Sequence, residues 1–162
     1  MRRGTEGFSL IELLIVVAII LIIAAIAIPN YLRSRIAANQ SSAVQSCRAI
    51  NSAEITYSFM YNVGFASTLQ TLAPPPAGSQ PTSVAADILD SVLAAGVKSG
   101  YTFVYTPGSP DSNGNYQAYT LNANPTQPGT SGNAYFYTDQ TYMIRYNDLS
   151  TAGATDSPIG QQ

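Results

Sequence analysis

Residues 8–28 read Phe-Ser-Leu-Ile-Glu-Leu-Leu-Ile-Val-Val-Ala-Ile-Ile-Leu-Ile-Ile-Ala-Ala-Ile-Ala-Ile, and fifteen of these twenty-one are Leu, Ile, Val or Phe. No charge occurs from Leu13 to Leu32. As an α-helix the run would span ~31 Å, at ~1.5 Å per residue, against a bilayer hydrocarbon core of ~30 Å. A buried core helix would need apolar partners to surround it. Residues 31–162 hold only 23 of the chain's 38 Leu, Ile, Val and Phe, so the rest of the chain is a poor host. A membrane segment is the expected solution. The remaining part carries all eleven tyrosines and a side-chain charge of only −2, which predicts a folded head packed with Tyr and small residues. The chain is two materials joined end to end.

This inventory excludes much chemistry. Histidine is absent, which removes Ser-His-Asp and Cys-His catalysis and every His-ligated metal site. Cys47 is the lone cysteine, so neither an intrachain disulfide nor a Cys-x-x-Cys cluster is available. A pI near 4.8 argues against a basic nucleic-acid-binding domain. Asp87 and Asp90 stand three apart, and two acids near a helix start are a more ordinary reading than a catalytic pair. Asp111, Asn113 and Asn115 imitate the opening of a calcium loop, but glycine stands fourth instead of sixth and no glutamate stands twelfth. The reading is a turn. No catalytic residue, metal site or cofactor is expected, and no P-loop marks the chain as a motor.

The apolar run does not by itself declare its fate. A cleaved secretory signal would end in an A-x-A-like site, whereas Ile28-Pro29-Asn30-Tyr31-Leu32 follows this run; Ala24-Ala25-Ile26-Ala27 is a poorly placed substitute. Arg2 and Arg3 balance Arg33 and Arg35 across the span, so basic residues leave the orientation a tie. Glu12 is costly inside an apolar helix, by roughly 2.5–3.5 kcal/mol for an acid at the centre on insertion scales. It either reaches the interface one turn from the helix start or meets a positive partner after assembly.

Gly7-Phe8-Ser9-Leu10-Ile11-Glu12, the short basic leader before it, the run to Ile20, and Ile28-Pro29-Asn30-Tyr31 together resemble the type IV pilins and pseudopilins, bacterial class III signal-peptide proteins. The likeness covers about the first fifty residues closely and the remainder in general layout. It implies that residues 1–7 are a leader, cut by prepilin peptidase between Gly7 and Phe8, with N-methylation of the new Phe8 amine. Glycine at the cut suits a cleft that must approach the backbone closely. The resemblance further implies that Glu12 neutralises the Phe8 amine of a neighbour or of its own chain, favouring one axial register. Pro29 removes a helix hydrogen bond and can kink or loosen the rod, or it marks the membrane exit.

Residues 8–30 form the transmembrane or assembly half of a long helix and residues 31–62 its amphipathic half. Ala43, Cys47, Ile50, Ala53, Tyr57 and Met60 make one stripe, with Ser41, Ser42, Gln45, Ser46 and Asn51 on other faces. Cys47 is then a small buried apolar residue. Asn62-Val63-Gly64 ends the helix, and residues 63–99 form a loop with a short helix from Ser83 to Ala95, capped by Ser83 and stopped by Gly96. Over 100–162, alternation in Tyr101–Tyr105, Tyr116–Leu121, Ala134–Tyr137 and Tyr142–Tyr146 predicts four antiparallel strands packed on the stripe. The fold class is α+β, type IV pilin-like. Asn39-Gln40-Ser41 is a glycosylation sequon only if exposed and met by a transferase.

The resemblance implies a structural subunit of a type IV pilus, serving motility, adhesion or DNA uptake, with the major pseudopilin of a type II secretion system as the alternative. Its partners would be further copies of itself, prepilin peptidase, an inner-membrane assembly platform, and lipid before assembly. DNA and surface ligands stay open. The chain would start as a single-pass inner-membrane precursor and end in an extracellular pilus or a periplasmic pseudopilus. A membrane-anchored enzyme lacks the necessary cluster of groups. A conducting filament rests on an aromatic content of 10%, which is ordinary.

Overall fold

The computed structural model describes residues 7–160. These fall into two compact units divided between Arg35 and Ile36. Helix α1 runs Leu10–Tyr61, 52 residues with Pro29 inside it. Apart from that proline the stretch contains neither proline nor glycine, so nothing local opposes the helix. It stops where Asn62 turns to φ 53, the left-handed conformation common just past a helix end.

In the C-terminal unit, six strands follow: β1 Val97–Lys98, β2 Tyr101–Pro107, β3 Tyr119–Pro125, β4 Tyr135–Asp139, β5 Arg145–Asn147 and β6 Ser157–Pro158. They form one sheet in sequence order, every pair antiparallel. This is an α+β, pilin-like arrangement, with six strands where alternation predicts four. The two extra strands are two residues each, too short for a period to register. Tyr116–Ala118 and Tyr142–Ile144 lie outside the strands. Tyr116 instead makes isolated bridges to Gly64, Phe65 and Pro110, while Tyr142 sits at φ 62 beside the Asp139 turn.

The expected helix from Ser83 to Ala95 shrinks to α2, Ser91–Ala94, and its cap is Asp90, whose carboxylate accepts from the Leu93 amide at 3.0 Å. The reason is competition for backbone groups. Amides of Ala86, Asp87, Ile88 and Leu89 donate to carbonyls of Thr71, Ala73, Leu72 and Leu72 in turn, next to a single 3-10 turn at Leu69–Leu72. Those donors are no longer free for a helix, and Asp87 at φ 56 breaks the path outright.

The stripe on α1 also needs correction. Ala43, Cys47, Ile50, Ala53 and Tyr57 are buried, but Met60 is 60% exposed. Ser46 and Asn51, assigned to other faces, are buried, as is Glu54. The buried face is therefore wider than an apolar stripe, and part of it is polar. Asn51 accounts for itself: it donates to Thr138 Oγ1 at 2.9 Å and to the Tyr142 carbonyl at 3.3 Å, and accepts from the Tyr119 hydroxyl at 2.9 Å. Three elements of the sheet side are thus tied to one helix position.

Candidate assembly surface

All fifteen Leu, Ile, Val and Phe side chains of residues 8–28 are exposed. Fully burying one such side chain is worth ~1.5–3 kcal/mol, so their sum exceeds the ~5–15 kcal/mol stability of a typical domain. A surface of that size marks an interaction site. The helix is long and apolar enough to cross a membrane.

Among the described residues no atom lies within 4 Å of where a Cβ on Gly7 would stand. Phe8, next to it, is 78% exposed. Glu12 lies in the first turn of α1, where the helix N-terminus favours negative charge. Ser9 accepts from the Leu13 amide at 3.2 Å, which marks it as the residue before the helix. Ser9-Leu10-Ile11-Glu12 therefore has the S-x-x-E spacing of a capping box, a sequence signal that a reading focused on the apolar run misses. Among the described residues no side chain hydrogen-bonds Glu12. Pro29 stays inside α1 without ending it, and lacks the amide that would bond the Ala25 carbonyl. Residues 1–6, which fall in the expected leader and include Arg2 and Arg3, lie outside the described residues.

The C-terminal unit places the other candidates in structural roles. Asp111 uses its carboxylate to close its own loop, accepting from the amides of Asn113 at 2.8 Å and Asn115 at 2.9 Å. Those amides hold its carboxyl below the usual carboxylate range. Asp90 is engaged by the Leu93 amide and pairs with Lys98 at 3.2 Å; Asp87 makes no part of that arrangement. Cys47 is fully buried, and burial pushes its thiol up to about 12, which leaves it inert as a nucleophile. The sequon nitrogen, Asn39 Nδ2, donates to the Ser131 carbonyl at 2.8 Å, so the atom that would carry a glycan is already engaged. An open groove of about 680 Å³ runs between the 40–48 stretch of α1 and the β4–β5 side, with Arg48, Phe136, Tyr146 and Asp148 on its walls.

Residues 2–28 match the family model of the prokaryotic N-terminal methylation motif. The type IV major pilin protein PilA of Myxococcus xanthus is 43% identical over 69 residues, which is 38% of this chain and 31% of the relative. The type IV wide pilus major component PilA4 of Thermus thermophilus is 59% identical over 39 residues, 24% of this chain and 30% of that relative. The chain carries this methylation motif, and part of it is similar to two type IV pilus components. The matches span about a third of the length of these relatives. No solved structure matches the chain. The exposed apolar run to Ile28, its early glutamate and the Gly7-Phe8 junction all lie within the matched methylation motif.

Proposed function

We propose that this protein is a structural subunit of a type IV pilus, with no catalytic role of its own. The observation that carries the reading is the pilin-motif helix whose fifteen large apolar side chains find no cover within the chain. Lipid covers them in the precursor, a single-pass protein of the inner membrane. After prepilin peptidase cuts between Gly7 and Phe8, the Phe8 amine is methylated and an assembly platform delivers the chain to a filament of like copies. There the helices of neighbouring copies replace lipid at little cost, because one apolar environment is exchanged for another.

Such an exchange is nearly blind to register, which is where Glu12 enters. A cationic amine at Phe8 and a carboxylate at Glu12 are each stranded among packed apolar helices unless they meet. Removing one partner of a buried pair costs about 3–5 kcal/mol, so only registers that unite them are populated. Pro29 leaves the Ala25 carbonyl without its helical donor, a weak point at which the rod loosens during extraction. The pilus reading stands ahead of the secretion pseudopilus because both curated relatives are pilus components.

Filaments sheared from cells that make this protein, viewed by electron microscopy and digested for mass spectrometry, test the proposal. The expected subunit begins with N-methylated Phe8. Absence of the chain from any surface filament, with retention in a periplasmic fraction, would favour the pseudopilus; an intact Met1 or a start beyond Ala27 would overturn the processing.

A further inference from the structure

The one fully buried carboxyl of the C-terminal unit lies on α1 at Glu54, and nothing in the assembly argument uses it. Its Oε2 accepts from the Ala66 amide at 2.9 Å. Its Oε1 is buried without a hydrogen-bond partner. The Tyr105 hydroxyl, which donates to the Ala66 carbonyl at 2.8 Å, faces the same carboxyl. The titratable groups around it are Tyr57 on α1, Tyr105 on β2, Tyr119 on β3 and Tyr142 ahead of β5. None is a cation, and the one ion pair among the described residues, Lys98–Asp90, lies elsewhere.

An ionised carboxylate in this place has one amide donor, one empty oxygen and four hydroxyl-bearing rings, three of them already committed elsewhere. Tyr57 donates to the Ser83 carbonyl, Tyr105 to that of Ala66, and Tyr119 to Asn51. A neutral carboxylic acid fits better. It strands no charge: Oε2 keeps the Ala66 amide, and the Tyr105 hydroxyl, its own proton given to the Ala66 carbonyl, faces the acid with its oxygen free to accept.

We propose that Glu54 is carried as a neutral acid in the folded head and acts as a pH latch, fastening the Gly64–Ala66 segment to α1 and releasing it on ionisation. The site is built for this. Gly64 is held at φ 77 against Tyr116, and the Phe65 amide donates to the Tyr116 carbonyl at 2.7 Å, so the segment is a tight crossing just past the helix. Burial raises the pKa of Glu54, against smaller opposing pulls from the Ala66 amide and the Tyr105 hydroxyl. A raised folded-state pKa means the stabilisation is complete below the unfolded value, near 4.5, and is lost as pH rises through the folded one. Alkali, not acid, opens the latch.

Full-length protein in detergent micelles, followed by hydrogen exchange from pH 5 to 9, is the test; the window stays below the range in which tyrosines titrate. Compared at each pH with Glu54→Gln, which keeps the acceptor for Ala66 and a donor for Tyr105, the wild type should lose protection at residues 64–66. The loss should approach about tenfold per pH unit between the two pKa values. Parallel pH profiles for the two proteins would overturn the latch. Infrared difference spectra guard against misfolding of the variant: the wild type alone should show a protonated-carboxyl band at neutral pH that fades as residues 64–66 lose protection. A wild type without that band at neutral pH, or a band that persists while the segment opens, also overturns it.

Discussion

The two units of this chain solve the problem of apolar side chains in opposite ways. In residues 7–35 the large aliphatic and aromatic groups of the motif all face outward, and the helix relies on its surroundings for cover. In residues 36–162 only seven of twenty-two Leu, Ile, Val and Phe are exposed, and tyrosines with bonded hydroxyls complete the core. Tyr101 donates to the Ala134 carbonyl at 2.8 Å, and Tyr105 stacks on Tyr119 with ring centres 5.5 Å apart. One unit is finished by other molecules and the other by itself. An interface made of bare aliphatics is tolerant and non-directional, whereas a core of hydrogen-bonded rings is specific at each position.

The largest expected effect breaks this comparison at its one polar point in the apolar helix. Glu12→Leu makes residues 8–28 more uniformly apolar, so membrane insertion should hold or improve. Filament yield should nevertheless collapse, by a hundredfold or more, if a loss on the order of 3–5 kcal/mol falls on each subunit contact. Cleavage at Gly7 must be verified in the same cells by N-terminal sequencing. Normal filaments from fully cleaved Glu12→Leu protein would mean that the carboxylate only complements the helix start.

A second test places the same small change in each unit. Gly64 sits at φ 77, and an added Cβ would run into the Tyr116 carbonyl oxygen. Gly64→Ala should destabilise the head by about 3 kcal/mol or more, read as a lower denaturation midpoint at unchanged slope. Gly7 has open space around it, so Gly7→Ala should leave that midpoint within about 0.5 kcal/mol of wild type. If both changes behave alike, the division of the chain into a self-completed and an open unit is wrong.

How much of this was legible in the sequence follows the same division. The apolar helix and the end of α1 at Tyr61 are written in long periodic runs, which hydropathy and turn chemistry capture. The sheet was legible where a strand has five residues or more, as in β2, β3 and β4, and illegible where a strand has two. The Ser83–Ala95 segment misled because its helical pattern is real, while the competing carbonyls of Thr71–Ala73 are distant information. Asn51 and Glu54 were missed because a polar residue reads as surface by type. What placed them inside was partners 12 to 91 residues away. The roles proposed for Gly7, Phe8, Glu12 and Pro29 rest on the resemblance of the N-terminal run, because such roles are set by other molecules and not by contacts within the chain.

A third, smaller effect sharpens the account of the tyrosine core. The Tyr119 hydroxyl is buried and donates to Asn51 Oδ1, the acceptor side of the residue that ties α1 to β4 and to the Tyr142 carbonyl. Tyr119→Phe keeps the ring and its stacking but leaves that oxygen without its donor. The expected cost is about 1–3 kcal/mol in chemical denaturation. A cost near zero would show that the rings act only as apolar bulk, as the side chains of residues 8–28 do.

The smallest expected effect concerns acid. Asp139 closes the turn after β4, accepting from the Thr141 hydroxyl at 2.6 Å, the Thr141 amide at 2.9 Å and the Tyr137 hydroxyl at 3.1 Å. Burial works against its charge, but these donors and nearby Arg145 outweigh it and hold the carboxyl below its ordinary value of 3.8. A depressed folded-state pKa gives stability that is present above the unfolded value and is lost as pH falls through the folded one. Asp139→Asn keeps a carbonyl acceptor for Thr141 but removes the charge and turns the acceptor of the Tyr137 hydroxyl into an NH2, so at neutral pH it should cost about 1 kcal/mol. Below pH 3.8 the gap between variant and wild type should narrow, and it should close once pH has fallen through the lowered folded value and both carry a neutral side chain. Thermal unfolding of the two proteins at a series of pH values between 2 and 7 reads this directly. A gap that stays constant down to pH 2 would assign the cost to altered hydrogen-bond geometry, and the charge of Asp139 would then have no part in stabilising the turn.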